Sequence, residues 1–164
     1  SMSRTAGPVS GAPRALWLIL ALLALGTVAI LGYRLWPRLH PPLLWLAELD
    51  QRCDLRAGPC EARFPNGGRA RLEIRPGGIP TAAPLTLSVE IHDLDATSVE
   101  VDFAGVDMYM GFNRATLRRV GPGLYQGQGM IPVCVRSRMT WEARVLIQTA
   151  DGLLGAPFRF DTQR

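Results

Sequence analysis

An uncharged apolar run limits the architecture of this chain more than any other feature of its sequence. The run covers residues 15–33 and consists largely of Leu, Ala and Ile. At about 1.5 Å per helical residue it nearly crosses the roughly 30 Å hydrocarbon core of a bilayer, which predicts one transmembrane helix over residues 15–36. The alternative is a cleavable signal peptide, whose apolar region is usually only about 7 to 15 residues long. Trp17 at one end and Tyr33 and Trp36 at the other suit the aromatic belts of the two membrane interfaces.

The arginines beside this run do not decide its orientation, because equal numbers lie on the two sides. Arg4 and Arg14 precede the run, and Arg34 and Arg38 follow it. The positive-inside rule needs an imbalance between the two flanks. The orientation must therefore be inferred from the cysteines.

The rest of the chain divides into three segments. We expect residues 1–14 to form an N-terminal tail, in which Ser1 before Met2 is the remnant of a cleaved tag. Three prolines predict that the helix stops and that residues 37–50 form a juxtamembrane linker, leaving 51–164 as one folded domain. An apolar patch at 43–46 could lie on the membrane surface, dock onto that domain or bind a partner.

Three cysteines leave at least one thiol unpaired. Cys53 and Cys60 flank a Gly-Pro turn, which favours a local disulfide, while a long-range bridge from either of them to Cys134 is the next possibility. The six residues between Cys53 and Cys60 do not match zinc-knuckle spacing, but thiolates and methionines together could hold Cu(I). A disulfide would place the domain in an oxidising compartment. We therefore expect a single-pass protein of a bacterial inner membrane with its C-terminal domain in the periplasm.

Alternating apolar and polar residues predict a series of short strands after residue 50. The pattern covers residues 69–75, 85–92, 99–105, 106–112, 114–120, 124–128, 138–149 and 157–161. Glycine- and proline-rich turns separate these segments, and helical periodicity is absent from this part of the sequence. This organisation predicts an all-β, immunoglobulin-like antiparallel β-sandwich of about 115 residues preceded by one transmembrane helix, with Trp141 as its buried tryptophan.

The segment Val106–Asn113 contains the most suggestive side chains. On a strand, Met108 and Met110 would point to one face with their Cα atoms about 6.5 Å apart. The same pattern is typical of a core stripe, since methionine packs well into irregular spaces. Further sulfur atoms follow at Met130, Cys134 and Met139. The metal site we predict binds Cu(I) through Met108, Met110, Cys134 and Met139, and His92 is a possible additional ligand.

Several functional classes find no support in the sequence. The two histidines, His40 and His92, have no nucleophile context around them, and no glycine-rich stretch follows a strand and opens a helix. The basic charge comes from scattered arginines without lysine, which does not form a nucleic-acid-binding stripe. We therefore expect neither an enzyme nor a nucleic-acid-binding protein.

The run from Gly123 to Pro132, followed by Met139 to Val145, resembles the hairpin of YtkA-like and FixH-like domains. In those domains a Gly-x-Tyr strand leads to a proline and then to a strand that contains tryptophan, and here the resemblance covers roughly residues 69–161. It implies a membrane-tethered, exported bacterial sandwich with a role in respiratory oxidase assembly or copper handling. The implied partner is a haem-copper oxidase. Cys53, Cys60 and the Met-Tyr-Met sequence are additions to the family pattern.

Two functions are consistent with these observations. The first is a periplasmic accessory protein that binds or delivers copper during respiratory oxidase assembly. The second is a structural or interaction subunit of a membrane complex, with a disulfide-stapled sandwich and no metal.

Overall fold

The computed structural model describes residues 12–40 and 43–163, which form one helix and one β-rich unit. Helix α1 covers Ala12–Leu39 and extends three residues beyond the predicted span at each end. Its sequence is dominated by good helix formers, and it contains no charged residue between Arg14 and Arg34. Its most apolar window has a mean hydropathy of 2.5, so this helix is long and apolar enough to cross a membrane.

Residues 43–163, which we call the β unit, contain nine strands. These are β1 Leu43–Leu46, β2 Cys60–Arg63, β3 Arg69–Arg75, β4 Leu85–His92, β5 Ala96–Gly105, β6 Arg114–Gly121, β7 Leu124–Gly129, β8 Arg138–Thr149 and β9 Gly152–Gln163. The all-β class with one preceding apolar helix is thereby confirmed.

The strands form one curled sheet in the order β1-β9-β8-β5-β6-β7-β4-β3-β2. Strand β6 produces the curl, because its first half, residues 114–117, pairs with β5 and residues 118–121 pair with β7. All neighbouring pairs are antiparallel except β1 and β9, which run parallel. The prediction of a wholly antiparallel arrangement was therefore wrong at this edge.

The core lies on the inner face of the curled sheet. Successive side chains of a strand point to opposite faces, so strict alternation buries one side chain in two. The central strands follow this rule and bury Leu85, Leu87, Val89 and Ile91 of β4, Val99, Val101 and Phe103 of β5, and Trp141, Ala143, Val145 and Ile147 of β8. Trp141 is fully buried, as predicted.

The two ends of the sheet differ in their connections. At the loop end, β5 finishes at Gly105 opposite Trp141, and the long connections 106–113 and 130–137 leave the sheet. At the hairpin end lie the β8–β9 turn and Leu43, the first residue of β1, opposite Leu153. About seven residues of β9 separate these levels, which corresponds to roughly 23 Å.

The structure also differs from two predicted segment boundaries. The apolar patch of the predicted linker is strand β1, so the β unit begins before the predicted boundary at residue 51. The predicted strand at 106–112 was wrong, because this segment is a loop. The Val106 N–H still donates to the Thr140 carbonyl of β8 at 3.0 Å, and the residues after Val106 leave the sheet although their apolar alternation continues.

Candidate metal site

The loop Val106–Asn113 connects β5 to β6 and is hydrogen-bonded to β5 at its last residue. The Phe103 N–H donates to the Asn113 carbonyl at 2.8 Å, and the Asn113 side-chain amide donates to the Met110 carbonyl at 2.9 Å. Gly111 has a φ of 81°, a backbone conformation that side chains disfavour. These contacts give the loop a defined path and hold the segment that carries the two methionines.

Gly105, the last residue of β5, lies beside the side chains of Met110 and Met139 and beside the backbone carbonyl of Met108. A side chain at Gly105 would collide with the Met139 terminal methyl group and with the Met108 carbonyl, and its Cβ would lie 3.3 Å from Met110 Cγ. The absence of a side chain at this position therefore allows the loop and the start of β8 to approach each other. Gly105 was not predicted as part of the site. The sequence signal that could have identified it is a glycine at the end of a strand, just before a pair of methionines.

The burial of these methionines is graded. Met139 is buried in the core. Met108 and Met110 are half-buried and pack against that core. Between them Tyr109 projects into solvent, with 87% of its surface exposed. The side chains at 108 and 110 thus both pack against the core, from a loop and not from the predicted strand.

Cys134 lies on the connection 130–137, at the same end of the sheet. It is a buried free thiol, whereas Met130 on the same connection is exposed. The structure therefore brings the side chains of Met110 and Met139 to the same glycine, keeps Met108 on the same loop, and places Cys134 on the other connection at this end of the sheet.

His92 lies apart from these sulfur atoms. It ends β4 at the hairpin end, and its Nε2 is 3.1 Å from Glu90 Oε1. Within residues 12–40 and 43–163, His, Cys, Asp and Glu form no group of three that could hold a metal ion.

The local disulfide between Cys53 and Cys60 is confirmed. Their Cα atoms are 5.8 Å apart, and the Gly58-Pro59 turn lies between them. Because both sulfur atoms take part in this bond, neither is available as a metal ligand. The disulfide fixes the segment that leads into β2.

Replacing both bridged cysteines by alanine is expected to destabilise the β unit by about 2–3 kcal/mol, because the unfolded chain regains the entropy of an open loop. Urea unfolding of the Cys53→Ala/Cys60→Ala variant, followed by far-UV circular dichroism, measures the change. Cys134→Ala is the control for losing a buried thiol without losing a cross-link. A reductant should bring the unaltered protein to the stability of the double variant and leave that variant unchanged; equal stabilities without reductant would contradict the prediction.

An ion pair flanks Met139. The Arg138 guanidinium and the Thr140 hydroxyl donate hydrogen bonds to the Asp161 carboxylate. These bonds, the one from Arg138 first, hold the pKa of Asp161 below its usual range. The pair joins the start of β8 to the end of β9.

The Arg138–Asp161 pair predicts how stability changes in acid. A carboxyl group with a lowered folded pKa stabilises the protein above its unfolded pKa of about 3.9, and this contribution disappears as pH falls through the folded pKa. Arg138→Gln is therefore expected to make the acid loss of stability shallower below about pH 4. Thermal unfolding as a function of pH tests this, with Arg118→Gln on β6 as the control; identical pH profiles for Arg138→Gln and the unaltered protein would refute it.

The loop end also exposes apolar side chains to solvent. They are Val106, Tyr109 and Phe112 on one connection and Met130, Val133 and Val135 on the other. The Arg114 guanidinium carbon lies 5.0 Å from the centre of the Phe112 ring, within the range of a cation–π contact. These six side chains, which we call the apolar rim, lie on the same two connections as Met108, Met110 and Cys134.

In the described part of the chain, these features define a β-rich protein with one apolar helix, one disulfide and several methionines at the loop end. No known protein family matches the chain, and no curated protein matches it. Among solved structures, it is similar to a DUF4785 family protein from Legionella pneumophila, with a TM-score of 0.46 and 11% sequence identity. This similarity covers 58% of the present chain and 28% of that protein, so the chain spans less than a third of its length.

Proposed function

We propose that this protein is a membrane-anchored accessory protein that binds Cu(I) and delivers it during assembly of a respiratory oxidase. The observation that carries the proposal is that the side chains of Met110 and Met139 approach each other at Gly105, while Met108 on the same loop also packs against the core. In this proposal these three residues and Cys134 supply the ligands. The partner is a haem-copper oxidase, as the resemblance to YtkA-like and FixH-like domains implies.

The chemistry of the sulfur atoms favours Cu(I) over harder ions. Thioethers and thiolates are soft ligands that select Cu(I), whereas Mg²⁺, Ca²⁺ and Mn²⁺ prefer carboxylate and carbonyl oxygen. A thioether needs no deprotonation, so methionine ligands keep their affinity across the range of pH in which a thiol would be protonated. Met108 and Met110 supply ligands of this kind on an accessible loop.

The position of the site is compatible with transfer of an ion. Met108 and Met110 are half-buried, which leaves them within reach of a ligand on another protein. The apolar rim around them can exclude water from such a contact. Ligand exchange between two soft sites then proceeds without release of the ion into solution.

The proposed location follows from α1 and the disulfide. The 28 residues of α1 extend about 42 Å at 1.5 Å per residue, which is more than the roughly 30 Å of a hydrocarbon core. The Cys53–Cys60 bond favours an oxidising compartment for the β unit. We therefore place the helix in a bacterial inner membrane and the β unit in the periplasm.

The strand order supports an immunoglobulin-like sandwich for the β unit. Strands β3, β4, β7 and β6 are neighbours in that order, as are β9, β8 and β5. The two sets match the ABED and GFC sheets of immunoglobulin domains when β3 to β9 are taken as strands A to G. In this proposal β6 joins the two sheets, and β1 and β2 are added edges.

The second candidate function is an interaction subunit of a membrane complex that binds no metal. It is favoured by the six exposed apolar side chains of the loop end, since surfaces of this kind commonly mark protein contacts. In that function the methionines serve only as packing residues. The two candidates make opposite predictions for copper.

Anaerobic titration of the detergent-solubilised full chain with Cu(I) separates them. We expect the chain to withdraw Cu(I) stoichiometrically from a colorimetric chelator of micromolar affinity. A chain that leaves the chelator fully loaded lacks the proposed site and favours the interaction subunit.

A further inference from the structure

Strand β1 is an edge strand made only of large apolar residues. Its four side chains, Leu43, Leu44, Trp45 and Leu46, are between 37% and 49% exposed. Elsewhere in the nine described strands, Val120 is the large apolar side chain with comparable exposure, at 53%. The exposed apolar surface of the strands is therefore concentrated at one edge.

The opposite edge of the sheet is built differently. Strand β2 exposes Glu61 and Arg63, whose charged groups lie 3.5 Å apart. Charged side chains are a common means of keeping an edge strand from pairing with other chains. Such protection is absent from β1, whose apolar edge would be expected to aggregate if water surrounded it.

Two glycines of β9 allow the side chains of β1 to pack directly on the β9 backbone. A Cβ at Gly152 would lie 2.6 Å from Leu44 Cγ, and a Cβ at Gly155 would lie 3.1 Å from Leu46 Cδ1. The leucine side chains thus cover the backbone of β9 directly. The apolar edge is a fixed part of the β unit and not a loose extension of the linker.

We infer that β1 is embedded in the interfacial layer of the lipid bilayer. The inference rests on the proposed membrane-spanning role of α1, because the apolar surface of the helix then continues along the chain into β1. Four residue steps separate Leu39 from Leu43, so the covalent chain keeps their Cα atoms within about 14 Å. A helix about 42 Å long leaves its end in the headgroup layer, and tryptophan and other apolar residues are favoured at this depth.

The lipid chemistry follows from the adjacent charges. Charges of both signs flank β1, since Arg34 and Arg38 precede it and the exposed residues Glu48 and Asp50 follow it. Because these four charges balance, attachment is driven by apolar contact, and zwitterionic phosphatidylcholine is sufficient. The contact fixes one edge of the sheet against the membrane, in addition to the covalent tether.

Quenching of tryptophan emission by brominated lipid tests this inference. The full chain carries four tryptophans, and replacing Trp17 and Trp36 by phenylalanine leaves Trp45 and the fully buried Trp141. In nanodiscs of phosphatidylcholine brominated near the headgroup, the emission of Trp45 should lose most of its intensity. A further Trp45→Phe substitution isolates the Trp141 signal, which should be unquenched.

A matched control comes from the other exposed apolar strand position. Val120→Trp, in the background that lacks Trp17, Trp36 and Trp45, should be open to acrylamide in water and insensitive to brominated lipid. Equal Trp45 emission in brominated and ordinary nanodiscs would overturn the inference. So would a Trp45 that is shielded from both quenchers, because a second copy or another protein would then cover the edge.

Failure of this inference is distinguishable from failure of the proposed function. Quenching of Trp17 and Trp36 in the single Trp45→Phe variant reports membrane insertion of α1 independently of Trp45. Cu(I) titration of the same nanodiscs reports the loop end, about 23 Å from the level of Leu43 along β9. If Trp45 is not quenched while α1 inserts and Cu(I) binds as expected, only the inference about β1 is wrong.

Discussion

Replacing Met108 and Met110 together by leucine is expected to abolish Cu(I) binding and leave the β unit folded. The substitution removes two of the proposed sulfur ligands. We expect affinity to fall by more than about 100-fold, since the loss of an outer-shell partner alone costs about 10- to 100-fold at metal sites. Anaerobic competition with a Cu(I) chelator measures the change in affinity.

Leucine is chosen because exchange with methionine conserves volume and usually costs less than about 1.5 kcal/mol in stability. Met130→Leu is the matched control, because Met130 is exposed at the same end of the sheet. Met139→Leu tests the buried member of the set. If the double variant binds Cu(I) as tightly as the unaltered protein, Met108 and Met110 are packing residues and the proposed site is wrong.

Replacing Trp141 by alanine is expected to destabilise the β unit by about 3–5 kcal/mol, the usual cost of removing a large aromatic side chain from a core. Trp141 is fully buried, and its indole N–H donates to the Thr162 hydroxyl at 3.2 Å. The variant leaves both a cavity and a buried hydroxyl that has lost this donor. Because total stabilities are commonly about 5–15 kcal/mol, much of the protein could unfold.

Hydrogen exchange of the β5 and β8 peptides in the full chain measures this effect without relying on tryptophan emission. Trp141→Ala should accelerate exchange across both strands. Val120→Ala removes an exposed apolar side chain and should change stability by no more than about 0.5 kcal/mol. Equal protection in the two variants would show that Trp141 does not support the core.

The sequence predicted best those strands that have water on one face. The bounds of β3, β4 and β8 coincide with the predicted segments, because alternate residues of these strands are buried. Strand β9 was predicted only over 157–161. Its earlier residues, 154–157, are buried on both faces and therefore show no alternation.

Strands β1 and β2 were not predicted, for different reasons. The four apolar residues of β1 have no period that distinguishes a strand from a linker, and its parallel pairing with β9 depends on the last strand of the chain. Strand β2 has only four residues, which is too short for a reliable periodic signal. Both strands depend on tertiary contacts that a local pattern does not contain.

That Met108, Met110, Cys134 and Met139 bind a metal stays a prediction. The common facing of Met108 and Met110 followed from their spacing, but the element that carries them is a loop, because alternation reports side-chain facing and not the presence of a partner strand. The contribution of Gly105 depends on its approach to Met139, which lies far away in sequence. Such long-range packing follows from the pairing of β5 with β8 and is not visible in a local pattern.

The position of β9 determines when this protein can finish folding. Strand β9 is the last to be synthesised, yet it lies between β1 and β8, where it pairs with the earliest and the latest of the other strands. Until residues 152–163 have been synthesised, both neighbours lack their partner and Trp141 lacks its cover. Folding of the β unit is therefore completed only once β9 is available to pair, and the earlier strands must be kept from aggregating until then.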